Sequence, residues 1–182
     1  MNLMEHSGFL ELFGMSVECN FGDIMLAIRR QGLSMDIFLK SVYEAEGVDY
    51  IPPFDNPEDL LEFTITDSEI FLNFLESQTD YDVLVLDFGA GIREFATMLS
   101  QCTSIYCLMR NGYFYDCRMN HFLKYLEREP GQAIAERLHV LNLPFSAKGI
   151  RGGIDVYRQL LWSEFGDYVR ECLAGGAHED IR

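Results

Sequence analysis

The chain has 182 residues, and its 14 Lys and Arg face 29 Asp and Glu, a formal charge of −15 at pH 7. Its length suits one domain, and 48% apolar with 13% aromatic residues supplies a core, which excludes intrinsic disorder for most of the chain. The charge repels phosphate backbones and anionic head groups over a screening length of about 8 Å, so no nucleic-acid partner and no direct membrane binding are expected.

Five cysteines (Cys19, Cys102, Cys107, Cys117 and Cys172) stand singly with no CxxC spacing. They read as reduced, mostly buried thiols of a cytoplasmic protein. The first residues lack a basic region followed by an apolar one, and no run approaches the ~18 apolar residues of a spanning helix. Neither export nor membrane insertion is expected.

In chain order, Phe21, Ile24, Met25 and Ile28 repeat at helical spacing and predict a helix over 21–31 that stops at Gly32. Ser34 is placed to cap a second helix bearing Ile37, Phe38 and Val42. Val48 to Ile51 predicts a short strand ended by Pro52-Pro53. Asn56-Pro57-Glu58-Asp59 reads as a helix start, with Asn as cap, Pro in the first turn and two acids at the positive end. Thr66-Asp67-Ser68-Glu69 reads as a capping box, with Ile70, Phe71, Phe74 and Leu75 as the stripe behind it.

Tyr81-Asp82-Val83-Leu84-Val85-Leu86-Asp87 is apolar at four consecutive positions, which predicts a strand buried on both faces of a parallel sheet. Gly89-Ala90-Gly91 turns the chain into a helix with Ile92, Phe95, Ala96 and Leu99 inward. A strand over 104–109 follows, then a helix from about Asp116 to Glu129 with Met119, Phe122, Leu123 and Leu126 inward, stopped by Pro130-Gly131. Leu138 to Leu143 reads as another strand, and Val156, Leu160, Leu161, Phe165 and Val169 mark one final helix to about Cys172. The alternation is that of an α/β fold with a doubly wound, mostly parallel sheet flanked by helices, whose ligands sit at the carboxyl ends of the strands.

Asp87 stands at the carboxyl end of the most apolar strand, before Phe88-Gly89-Ala90-Gly91. A carboxylate beside a Gly-rich turn suits the water shell of Mg²⁺ near a phosphate. It also suits a helix cap with glycines serving close packing, and both readings stay open. Val-Leu-Asp-Phe-Gly-Ala-Gly further resembles the start of the cofactor site in methyltransferases that use S-adenosylmethionine. That reading expects an acid about 20 positions on, whereas the next strand ends Cys107-Leu108-Met109-Arg110-Asn111, and it ranks third.

The order of the whole chain resembles the MinD/ParA family of deviant P-loop ATPases, nearest the TadZ/CpaE-type branch of bacterial pilus-assembly and positioning proteins. The resemblance rests on Tyr50 to Leu61, Tyr81 to Gly91, Leu138 to Pro144 and Leu160 to Val169. It implies a P-loop NTPase-like fold and binding of ATP with Mg²⁺. Asp87 would be the metal-side carboxylate of the Walker B strand, with Gly89 and Gly91 beside the nucleotide. Gly91 falls where the family's glycine faces the γ-phosphate. Asn142 matches an asparagine that contacts adenine, although an Asn before Leu-Pro is also a common strand-ending residue.

The family's phosphate grip, a Gly-rich loop with lysines after the first strand, has no counterpart in this sequence. No Gly-Lys pair occurs, and Lys148-Gly149-Ile150-Arg151-Gly152-Gly153 comes late and is not followed by Ser or Thr. By the resemblance, Asn2 to His6 falls at the end of the family's second strand, so the P-loop strand and its helix are expected to be missing. The strand ending at Asp87 is then expected to be central, its open side bare or filled from residues 1–20. Without cradle and lysine, positioning and charge stabilisation in phosphoryl transfer are lost, and no catalytic residue is assigned.

The expected organisation is one N-terminally incomplete domain over 1–173 and a flexible tail over 174–182. That tail is short and weakly charged, unlike a membrane-binding basic helix. The function expected first is a truncated or degenerate ATPase-family protein that positions a pilus, flagellar or division apparatus. The alternative is a non-catalytic protein-interaction module that retains only the fold. Protein partners are expected, with a homodimer possible. His6, His121, His139 and His178 lack metal-ligand spacing, and Tyr113-Phe114-Tyr115 reads either as an aromatic loop for a partner or as packing above the sheet.

Overall fold

The computed structural model describes residues 1–4, 8, 10–11, 14–45, 47–89, 91–127, 132–143 and 155–174. They fall into two compact units, Met1–Phe95 and Ala96–Arg182. The class is α/β. Among the described residues the strands form separate two-stranded sheets, two parallel and one antiparallel, instead of the one doubly wound sheet expected.

In the first unit, β1 (Asn2–Leu3) is followed by α1 (Phe21–Arg29) and α2 (Met35–Lys40). The Asn20 side chain accepts the Gly22 N–H at 2.6 Å while Asp23 accepts the Asn20 N–H at 2.9 Å, so α1 starts in a reciprocal cap. It ends by Gly32 N–H donating to Ala27 O and Gln31 N–H to Ile28 O, a Schellman pattern. The left-handed position is therefore Gln31, with φ 53°, and not the glycine beside it. Ser34 caps α2 as expected, but α2 ends at Lys40, and Val42 lies outside it.

A hairpin follows that the sequence pattern did not suggest: β2 (Tyr43–Ala45) pairs antiparallel with β3 (Val48–Tyr50) around Gly47, whose φ of 81° needs glycine. Asn56 caps α3 (Pro57–Leu60) with Pro57 in the first turn, as read. The next helix, α4 (Ile65–Gln78), starts two residues before the expected box. Thr64 accepts the Asp67 N–H at 3.3 Å and Asp67 accepts the Thr64 N–H at 3.0 Å. Thr64 has its acid at the third helical position, as Thr66 has Glu69, and of the expected stripe Ile70 is exposed while Phe71 and Leu75 are buried.

The core of this unit is aromatic. Phe21 is fully buried, and its ring meets Phe54, Phe63 and Phe71 edge-on with centroids 5.2 to 5.4 Å apart. Edge-to-face pairs add about 0.5 to 1.5 kcal/mol each beyond area burial. Phe38 closes the cluster against Phe71 and Phe74.

The run 81–87, expected as a strand buried on both faces, has strand pairing among the described residues only at β4 (Asp87–Phe88), parallel to β1, with a bend at Asp82. Val83 and Val85 are 76% and 70% exposed. Apolar residues are buried in a strand only where ladders hold neighbours on both sides and helices cover both faces, and here β1 is a two-residue partner.

In the second unit, α5 (Phe95–Ser100) buries Met98 and Leu99, whereas Ile92 is buried in the turn before it rather than in the helix. β5 (Ile105–Met109) pairs in parallel with β6 (Leu138–Asn142) over five residues, from Ile105 opposite Leu138 to Met109 opposite Asn142. Between them lie α6 (Tyr113–Leu126) and α7 (Gln132–Ala135). The helix expected from Asp116 begins three residues earlier, so Tyr113-Phe114-Tyr115 is its first turn and not a loop. Arg137 donates to the carbonyls of Ser100, at 3.2 Å, and Cys102, which joins the end of α5 to the start of β6.

The single final helix is two, α8 (Val156–Leu161) and α9 (Glu164–Leu173). Ser163 breaks the run: its hydroxyl donates to Leu160 O at 2.6 Å and accepts the Gly166 N–H at 3.4 Å. Gly166 sits so close to the Leu160 and Leu161 carbonyls that no Cβ fits there. The cysteines are half-buried, with Cys117 exposed, and not mostly buried: Cys107 lies on β5, Cys117 and Cys172 on helices, and Cys19 and Cys102 outside both. Pro130-Gly131, Lys148 to Gly153, His6, His178 and all of the expected tail but Ala174 lie outside the described residues.

Candidate functional site

The approach to Asp87 is built by the pairing of β1 and β4. The Asp87 N–H donates to Met1 O at 3.0 Å and the Gly89 N–H to Leu3 O at 3.1 Å, while Val85 O accepts from the Met1 α-amino group at 2.9 Å. In a parallel ladder both backbone groups of a residue point to the same neighbour and alternate along the strand. Residues 85, 87 and 89 therefore face β1, and Leu84, Leu86 and Phe88 direct their N–H and C=O groups to the opposite edge, which carries no strand among the described residues.

A groove of about 230 Å³ lies against this run. Phe38, Val42, Ile51, Leu75, Val83 and Leu84 give it apolar walls, and Asp49 and Asp87 are its acids. Tyr81 spans from the run to the hairpin by donating its phenol O–H to Asp49. Burial first, and that bond second, push the Tyr81 phenol up to about 12. Asp87 is exposed in part, yet desolvation raises its carboxyl above the ordinary range, ahead of the opposing pull of the Met1 ammonium. Burial in turn lowers the Met1 ammonium, with Asp87 raising it less.

Beyond β4, Gly89 is buried and Gly91 lies in a turn, with Ala90 between them outside the described residues. That turn ends at Glu94, which holds φ 56° and accepts the Ile65 N–H at 3.3 Å. A non-glycine in this region stores strain of order 1 kcal/mol or more, and here it brings a carboxylate to the start of α4. Asn142 belongs to the second unit, at the carboxyl end of β6 opposite Met109. The structure thus gathers Asp87, Gly89 and Gly91 on one strand end. Asp49, Tyr81 and Glu94 were missed by sequence reasoning, and no local signal marks Glu94; the apolar run after Tyr81-Asp82 could have drawn attention to Tyr81.

Mg²⁺ with ATP asks for one or two carboxylates at the metal, and for backbone N–H groups of a Gly-rich turn with a cation at the phosphates. Asp87 meets the first need. The residues lining the groove include no glycine, lysine or arginine, and their aliphatic walls suit side chains better than a triphosphate. The groove does not fit the nucleotide. Among the described residues no group of three His, Cys, Asp or Glu is placed to hold a metal ion, and no helix is long and apolar enough to cross a membrane.

No family model and no curated protein matches the chain. Among solved structures it is similar to that of a ParA family ATPase from Chlorobium tepidum TLS, with 18% identity and a TM-score of 0.59. The likeness covers 92% of this chain and 69% of that one. At that identity the likeness is one of fold: the chain has the α/β fold of a ParA family ATPase, with short strands.

Proposed function

We propose that this chain is a protein-binding module built on a ParA-like fold, and that the groove beside Asp87 holds a partner instead of a nucleotide. One observation carries the reading: the wall of the groove is aliphatic and aromatic, its charges are the Asp49 and Asp87 carboxylates and the Met1 ammonium, and no lysine or arginine lines it. An anionic triphosphate placed there would meet two carboxylates against the single Met1 ammonium and no lysine, whereas apolar side chains would be buried at about 25 cal/mol per Å².

Calorimetry on the 182-residue chain tests it. Mg-ATP and S-adenosylmethionine are each expected to give no binding heat. Micromolar Mg-ATP binding that Asp87→Ala abolishes overturns the proposal.

The second reading is an ATPase that positions a pilus, flagellar or division apparatus, with Asp87 toward Mg²⁺, Gly89 and Gly91 at the phosphates and Asn142 at adenine. The fold likeness favours it. It requires a phosphate loop supplied by other chain, and an in-frame strand followed by a lysine-bearing Gly-rich loop upstream of Met1 would support it. A cytoplasmic location and the possible homodimer belong to that reading too.

A further inference from the structure

We infer that the outer edge of the run Val83–Phe88 is a docking site for an extended peptide strand of a partner protein, one with alternating aliphatic residues and Lys or Arg at its ends. The inference rests on the protein-binding reading above and names the chemistry of the partner. Three observations on the same segment lead to it.

The first is directional. The backbone groups of Leu84, Leu86 and Phe88 face away from β1, and among the described residues no strand pairs with that edge. Bare N–H and C=O groups along an extended segment are a template for strand addition, which supplies affinity through the backbone. The second is apolar exposure. Val83 and Val85 stand 76% and 70% exposed in a segment that is aliphatic from Val83 to Leu86, and Val83, Leu84 and Val85 also line the groove of about 230 Å³.

The third is charge, and it selects the partner. Asp80, Asp82 and Asp87 flank the aliphatic stretch, and Asp49 lines the groove. The first unit contains 19 of the chain's 29 acidic residues and 4 of its 14 basic ones, so the whole formal excess of −15 lies there. A second copy paired through the same edge would set aspartates against aspartates, which is unfavourable across a ladder. A strand with cationic ends brings opposite charges together and leaves aliphatic side chains for the groove.

The test uses the full chain, a short acetylated peptide of alternating valine and threonine with lysine at both ends, and its counterpart with glutamate at both ends. Amide hydrogen exchange reads Leu84, Leu86 and Phe88. The lysine peptide is expected to slow exchange at these three amides, and the glutamate peptide to bind at least about tenfold more weakly, with the lysine preference shrinking in high salt. Asp82→Asn, on an exposed side chain, is expected to narrow the preference between the two peptides while leaving the unfolding midpoint unchanged. Binding without protection of these amides overturns the inference, as does no binding by register-shifted versions of the lysine peptide. Protection already present in the isolated chain, with sedimentation as a dimer, overturns it in favour of a second copy. Mg-ATP is titrated into the same sample. Failure of the peptides with no ATP binding removes the strand site and leaves a partner surface elsewhere, whereas ATP binding removes the protein-binding reading itself.

Discussion

The two units of this chain solve the problem of a small core in opposite ways. Met1–Phe95 packs helices around Phe21, Phe63 and Phe71, and among its described residues the strands are two or three residues long. Ala96–Arg182 has a regular five-residue parallel ladder, yet exposes Tyr113 by 84% and Trp162 by 80% and leaves Tyr106 and Leu108 of β5 exposed. The charge divides likewise, with 10 acidic and 10 basic residues in the second unit against the strong acidic excess of the first. Burial of aromatic area and completion of a hydrogen-bond ladder are thus separable sources of order. Each unit leans on one and leaves surface of the other kind uncovered.

The comparison breaks most visibly at Phe21. Phe21→Ala removes the ring at the centre of three edge-on contacts and is expected to cost about 4 kcal/mol of the first unit's stability. Urea unfolding followed by amide exchange checks it: the protection of α1 and α4 should fall while that of β5 holds. Equal loss in β5 would show that the two units unfold together.

In the second unit the corresponding weak point is Gly166. A Cβ there falls on the carbonyl oxygens of Leu160 and Leu161. Gly166→Ala is expected to cost about 3 kcal/mol, read as a lower thermal midpoint with loss of helical signal from α8 and α9. A neutral result would mean that the turn at Ser163 opens freely.

A smaller and opposite effect is expected at Gln31, where a non-glycine occupies the left-handed position of the α1 terminus. Gln31→Gly relieves about 1 kcal/mol of backbone strain, less the added freedom of the unfolded chain, and should raise the denaturation midpoint of the first unit. A fall in stability would mean that the Gln31 side chain contributes more than its backbone costs.

The smallest effect concerns pH. The Asp87 carboxyl has its affinity for protons raised on folding. Its contribution to stability is therefore fully present below the ordinary carboxylate range and is lost as pH rises through the higher folded value. Asp87→Asn should flatten this part of the stability profile in the first unit. A profile with the same slope in wild type and variant would remove the assignment.

Local chemistry was the legible part of the sequence. Ser34, and Asn56 with Pro57, act at helix starts as read, because a cap is a bond between a side chain and an N–H two or three residues on. β5 and β6 likewise fall where the apolar runs 104–109 and 138–143 placed strands. Where two local solutions competed, the reading slipped: Thr64 with Asp67 starts α4 in place of Thr66 with Glu69, and Ser163 with Gly166 divides a stripe that looked continuous.

For the candidate site, the sequence alone placed Asp87, Gly89 and Gly91 together, since they are neighbours in the chain, and it singled out Asn142 at a strand end. It could not supply Asp49 and Tyr81 across the groove, or the Glu94 carboxylate at the start of α4, because those meetings join residues about 30 positions apart. Composition, charge and caps thus follow from the order of residues. The fate of Val83 to Leu86 does not: four aliphatic residues are buried only if strands and helices from elsewhere cover them, and among the described residues no strand pairs along that edge.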